Sequence, residues 1–123
     1  MNIVDSSGWL EYFADGPNAK RYEGPLSELS SLVVPVITIY EVFKVVLRES
    51  SENSALQAVA AMQKGRVIDV SDVVVMEASR LSLRLDLAMA DSLILATARA
   101  NGCVIWTQDS DFQSIEGVRY FPA

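Results

Sequence analysis

Apolar runs of three to five residues recur through this chain, each set off by polar turns and most followed by a longer stretch of helical spacing. They are Asn2-Ile3-Val4, Leu32-Val33-Val34-Pro35, Arg66-Val67-Ile68-Asp69-Val70, Cys103-Val104-Ile105-Trp106 and Val118-Arg119-Tyr120-Phe121. Runs this short cannot be helices on their own, whereas strands alternating with helices build a mainly parallel sheet covered on both faces. The expected fold is α/β, a three-layer α/β/α sandwich with four to five strands. A length of 123 residues, half of them apolar, fits one domain over residues 1–123 with a real core.

The segments between the strands set the finer expectations. Trp9 to Phe13 reads as a helix broken by Asp15-Gly16-Pro17, and a second helix runs from about Asn18 to Leu29 with Gly24-Pro25 interrupting it. Val36-Ile37-Thr38 leads into a helix bearing Ile39, Val42, Phe43, Val46 and Leu47, which puts Glu41 in its first turn. Ala55 to Met62 is a further helix. The pattern from Val73 to Leu85 directs Val75, Met76, Ser79 and Leu83 inward and leaves Arg80 and Arg84 as a basic stripe, with Asp69 and Asp72 as capping residues. The last long helix opens at Asp91 and closes at Asn101-Gly102.

Composition removes whole classes of chemistry. There is no histidine, so mechanisms that need an imidazole base, and the commonest zinc sites, are excluded. Cys103 is the only cysteine and falls in an apolar strand, which predicts a structural thiol. A net charge of −6 argues against holding nucleic acid by general electrostatics, because phosphate binding draws on Lys and Arg. A nucleic-acid substrate would need metal ions or a local basic rim. No run approaches the roughly 18 apolar residues of a membrane span, so the expectation is a soluble, cytoplasmic protein.

What remains is carboxylate chemistry. Asp5 follows the first strand, Glu41 lies early in the helix after the second, and Asp109 and Asp111 follow the fourth. Asp91 opens a helix running antiparallel to the sheet, which starts at the same carboxyl edge. Each acid has an ordinary alternative: Asp5 or Ser6 as an N-cap, Glu41 as a partner of a helix dipole. Gathered together they repel, by about 4 kcal/mol per close pair at about 4 Å in a medium of dielectric near about 20. Such a cluster calls for a cation, and oxygen-only ligands select Mg²⁺ or Mn²⁺. Magnesium bound by a few carboxylates, with substrate phosphate as a further ligand, matches phosphodiester hydrolysis.

Four motifs in register give the chain a family likeness over essentially its whole length: Ile3-Val4-Asp5-Ser6-Ser7, Ile39-Tyr40-Glu41-Val42, Ala90-Asp91-Ser92-Leu93-Ile94-Leu95-Ala96-Thr97-Ala98, and Thr107-Gln108-Asp109-Ser110-Asp111-Phe112. The sequence resembles the PIN-domain family, and within it the VapC-type toxins of toxin–antitoxin pairs. The resemblance implies a metal-dependent endoribonuclease in which Asp5, Glu41, Asp91 and Asp109 bind Mg²⁺ or Mn²⁺. It makes Asp111 an auxiliary acid, with Ser6 and Thr107 as supporting hydroxyls. It also implies an RNA substrate, a homodimer, and a cognate antitoxin covering the acidic groove, often with an arginine near the metal. One departure is the segment Leu83 to Met89, which lacks the Leu-Pro turn common in the family and leaves two places for Asp86, near the site or at a solvated helix end.

Two rival readings differ in chemistry. A haloacid-dehalogenase-type phosphatase also uses Asp-x-Asp after a strand, but that motif opens its domain, whereas only 12 residues follow Asp111 here. A non-catalytic PIN-like scaffold binding protein or RNA would be free to lose its acids, and this chain retains them all.

Overall fold

The computed structural model describes residues 1–123. Five short strands, β1 (Asn2–Val4), β2 (Val33–Pro35), β3 (Arg66–Ile68), β4 (Val104–Thr107) and β5 (Val118–Tyr120), all pair in parallel. β1, β4 and β5 form one ladder and β2 and β3 another. A single parallel bridge, Asn2 to Leu32, joins the two into the order β3-β2-β1-β4-β5.

Six helices connect the strands: α1 (Ser6–Phe13), α2 (Ala19–Ser27), α3 (Val36–Glu49), α4 (Glu52–Met62), α5 (Asp72–Leu85) and α6 (Met89–Ala100). Strand alternation decides which helices pack where. Ile3, Val33 and Ile105 point to one face and pack with Ala78 and Leu81 of α5 and Ile94, Leu95 and Ala98 of α6. Val4 and Val34 point to the other and meet Trp9, Tyr22, Leu26, Val42, Ala58 and Met62 from α1 to α4. Full burial of each such aliphatic chain contributes about 1.5–3 kcal/mol. α1 lies so close to β1 that a side chain at Gly8 would meet Val4 Cγ1 at 2.6 Å and the Tyr22 ring at 2.7 Å.

The strand order reverses between β1 and β4. In open parallel sheets the crevice at that reversal, beyond the carboxyl ends of the strands, is where ligands bind. The residue after β1 is Asp5 and the loop after β4 carries Asp109.

Several local expectations fail for physical reasons. α3 begins at Val36, directly after Pro35, so Glu41 sits in its second turn rather than its first. α2 runs through Gly24-Pro25 without interruption, because Pro25 lies seven residues into the helix and packs in the core while the chain ends the helix only two residues later. The N-cap of α5 is Ser71, whose hydroxyl accepts from Val74 N at 3.2 Å; Asp72 is the first helical residue and Asp69 is exposed outside the helix.

α5 also turns a different face inward. Ala78 and Leu81 are buried, while Val75, Met76 and Leu83 are 44%, 51% and 89% exposed and Ser79 is exposed as well. The helix carries two apolar stripes, and the one containing small Ala78 allows the close approach of α6. Asp86 caps the C-terminus of α5 in a left-handed conformation at φ 54°, exposed to solvent, the solvated helix end of its two expected places. Cys103 is half-buried before β4, and burial pushes its thiol pKa up.

Candidate metal centre

The carboxyl edge at the β1–β4 reversal collects the acids. Asp5 is 1% exposed and caps α1, so its N-cap role and its place at the candidate site coincide. One carboxylate oxygen, Oδ1, accepts from Ser7 Oγ at 2.7 Å and from Gly8 N at 3.1 Å. The other, Oδ2, accepts from Thr107 Oγ1 at 2.7 Å, which ties the end of β4 to the end of β1. Both hydroxyl hydrogens are committed to an ionised Asp5, so the 3.3 Å approach of Ser7 Oγ to Thr107 Oγ1 is a contact between acceptors in that state.

Thr107 also accepts from Asp109 N at 2.9 Å, and Asp109 Oδ1 in turn accepts from Asp111 N at 2.9 Å, capping the short turn Ser110–Phe112. These bonds aim the loop after β4. Asp91 lies in the first turn of α6, where an acid also complements the helix dipole. The carboxylates of Asp91, Asp109 and Asp111 each bring an oxygen within 4.8 Å of the other two. Glu41 enters from α3, and Ser6 Oγ donates to its Oε1 at 2.9 Å. Asp5 and Glu41 stand outside that tight triple, yet their charges reach it.

Electrostatics link the five. Burial, then the charges of Asp109, Glu41, Asp5 and Asp111, push the Asp91 carboxyl up to about 7. Burial also pushes Asp5 up to about 6, outweighing the three hydrogen bonds that favour its ionised form, with Asp109 adding repulsion. No Lys or Arg compensates: the ion pairs of the chain are Arg48–Glu49 and Arg80–Glu77, both on helix surfaces away from this edge. Clustered oxygen donors with uncompensated negative charge fit a hard divalent cation.

The site residues read from the sequence thus converge, with two additions. Ser7 is a hub, bonding Asp5, touching Thr107 and accepting from Gln108 N at 3.3 Å. Gln108 Oε1 accepts from Asn18 Nδ2 at 3.2 Å and Tyr22 OH at 3.3 Å, anchoring the β4 loop to α2. The one available signal was the doubled serine after a strand-ending acid: with Ser6 reaching forward to Glu41, Ser7 is free to turn back to Asp5.

A cavity of about 850 Å³ lies not on the acids themselves but beside them. It is a groove between α1 and the α3–α4 pair, walled by Leu10, Phe13, Val45 and Val46, with Glu11 and Glu49 on it and Ser7 and Gln108 at the end nearest the acids.

The PIN-domain family profile matches residues 3–118. None of the curated proteins matches the chain. Among solved structures, a toxin–antitoxin complex from Klebsiella pneumoniae superposes with a TM-score of 0.84 at 21% identity over 100% of both chains. A VapC toxin from Mycobacterium tuberculosis that cleaves the sarcin–ricin loop gives 0.79 at 21%, covering 94% of this chain and 95% of that one. DNA-bound VapBC from Salmonella typhimurium gives 0.73 at 16%, covering 99% and 98%. At these identities the likeness is one of fold, and the family match runs through both ends of the acidic edge. The chain therefore belongs to the PIN-domain family and has the fold of its VapC-type members.

Proposed function

We propose that this protein is a metal-dependent endoribonuclease acting in the cytoplasm as the toxin of a toxin–antitoxin pair. The observation that carries this reading is the triple of Asp91, Asp109 and Asp111, backed by buried Asp5 and by Glu41, with no basic partner to neutralise it. Asp91, Asp109 and Asp111 would hold a Mg²⁺ or Mn²⁺ ion, with Asp5 and Glu41 completing its negative surroundings. Such an ion supplies Lewis acidity, both for making a nucleophile from water and for neutralising charge on the phosphate. The chain's own part is positioning. Ser7, Gly8 and Thr107 fix both oxygens of Asp5, Ser6 fixes Glu41, and Thr107 and Asp109 fix the loop on which Asp111 stands.

Two surfaces suit the partners of such a toxin. The apolar groove beside the acids, with Glu11 and Glu49 on it, fits an antitoxin segment that is apolar along one side and carries a basic residue toward the carboxylates. The outer face of α5 and the start of α6 expose Val73, Met76, Leu83 and Met89, which fits a homodimer interface. No helix of the chain is long and apolar enough to cross a membrane.

Induced expression of the chain in bacterial cells tests the reading. Growth should stop within a few generations and RNA fragments with discrete ends should accumulate, while Glu41→Gln expressed at the same level should do neither. Growth arrest with intact RNA in both cultures would contradict a ribonuclease toxin.

A further inference from the structure

On the face of the sheet that carries α1 and α2, no helix packs extensively on β5, and Trp106 of β4 is left to be covered by side chains. The cover is a stack. The Arg119 guanidinium lies 4.8 Å from the centroid of the Trp106 ring, Trp106 lies 6.0 Å from Phe121, and the Arg21 guanidinium lies 5.0 Å from the Phe121 centroid. Tyr22 supports Phe121 edge-on at 5.9 Å. Both arginines are exposed, and neither has a carboxylate partner. A guanidinium stacked by its face keeps its N–H edge free for a bidentate acceptor such as phosphate.

The stack leads to the acidic edge. Phe121 N donates to Thr107 O at 2.9 Å, and Asn18 Nδ2 donates both to Pro122 O at 2.9 Å and to Gln108 Oε1 at 3.2 Å. Gln108 stands between Thr107 and Asp109 in the chain, so the Phe121 end adjoins the loop that carries the carboxylates. Covering Trp106 and blunting the edge strand β5 would need only the side-chain stems. In a protein with a net charge of −6, two cations held on adjacent aromatic rings place positive charge together on one patch.

We propose that Arg119, Trp106, Phe121 and Arg21 form a track for single-stranded RNA, the guanidinium edges holding phosphates and the exposed rims of the rings meeting bases. The track is the local basic rim that an acidic nuclease requires, and it rests on the ribonuclease reading above. It hands the strand to the acids along the Phe121–Thr107 connection. The chemistry is sequence-tolerant: phosphate charge carries the binding, and contact of bases with the ring rims adds to it.

The test compares the Asp5→Asn chain, which holds RNA without cutting it, with the same chain carrying Arg21→Gln and Arg119→Gln. Binding of a short single-stranded RNA oligonucleotide is followed in EDTA across a salt series. The double change should weaken binding about tenfold or more and flatten the slope of log affinity against log salt by about 1.4, or about 0.7 per lost phosphate contact. Quenching of tryptophan fluorescence by RNA should shrink with it. Arg21→Lys with Arg119→Lys should restore the slope but not the quenching, because a lysine keeps the charge without the planar stack. In the chain with Asp5 intact, the glutamine pair should raise KM and change kcat by less than about twofold. Unchanged affinity and slope in a chain whose Asp5-intact form cuts RNA would overturn the track and leave the nuclease standing. If the glutamine pair instead lost antitoxin binding alone, the stack would be a protein contact and the track would fall. A chain that neither binds nor cuts RNA would overturn both.

Discussion

Asp91→Asn is expected to lower RNA cleavage by about two orders of magnitude or more while raising the melting temperature of the metal-free protein. The two effects have one cause. Asp91 sits where the charges of Asp109, Glu41, Asp5 and Asp111 all bear on it, and together with burial they push its carboxyl up to about 7. An amide of the same shape keeps the packing at the start of α6 and removes the repulsion, so the fold gains. The same amide removes one of three clustered carboxylates, so the site loses its hold on a cation. A change that merely damaged the fold would lower activity and melting temperature together. Opposite movements, measured by cleavage rate and thermal denaturation on one preparation, separate the explanations, and an active Asp91→Asn protein would remove Asp91 from the site.

The second large effect is a pH dependence that a divalent cation should reverse. Asp5 and Asp91 have folded pKa values of about 6 and about 7, both raised above the usual 3.8. A raised carboxyl means that the folded state binds the proton more tightly than the unfolded chain. The stability this provides is fully present below about pH 4 and is lost as pH rises through 6 and 7. For Asp5, which is 1% exposed, the whole loss from about pH 4 to above about pH 6 is about 3 kcal/mol at about 1.36 kcal/mol per unit, of which about 1 kcal/mol falls above about pH 5.5. Asp91 is half-exposed, so solvent screens its share, which acts in the same direction. In EDTA the protein should therefore melt several degrees lower at pH 8 than at pH 5.5. Mn²⁺ added at pH 8 should recover the loss, since a cation that binds only the folded state stabilises it by mass action. A melting temperature in EDTA that climbs steadily from pH 5.5 to 8, with no response to Mn²⁺, would contradict the clustered-acid account.

How much of this the sequence disclosed differs by level. The strands were legible because three to five β-branched and aromatic residues between polar turns have few alternatives, and β1, β2, β4 and β5 fall within a residue or two of where the pattern put them. The acids were legible because strand ends and helix starts share one edge in a parallel sheet, so topology alone brings Asp5, Glu41, Asp91 and Asp109 near each other. Faces were harder. α5 has apolar residues on two stripes, and only packing against α6 selects the one with Ala78 and Leu81. The start of α3 directly after Pro35 follows the tolerance of proline at helix N-termini, while α2 runs through buried Pro25 despite its usual breaking effect. The hydroxyl network was least legible. That Ser7 rather than Ser6 turns back to Asp5 depends on which side of α1 faces α3, and the doubled serine by itself does not say which of the two it is.

The same limit explains why the sequence suggested Lys44 and Arg48 as bases near the groove and not the residues of the proposed track. Arg21, Trp106, Arg119 and Phe121 are scattered over α2, β4, β5 and the residue after β5, and no spacing pattern unites them. Only the β4–β5 register, Trp106 beside Arg119 and Thr107 beside Tyr120, stacks one cation over its ring and carries Phe121 to the acidic edge.

The central claim is that a divalent cation held by these carboxylates cuts RNA, and its most direct test is cleavage by the purified chain. A mixed pool of transfer RNA and ribosomal RNA would be incubated with the protein in Mn²⁺, in Mg²⁺ and in EDTA, with the Asp5→Asn chain alongside. The account predicts discrete fragments with either metal, none in EDTA, and none from Asp5→Asn. Fragments that persist in EDTA, or that Asp5→Asn produces as fast as the unaltered chain, would contradict it.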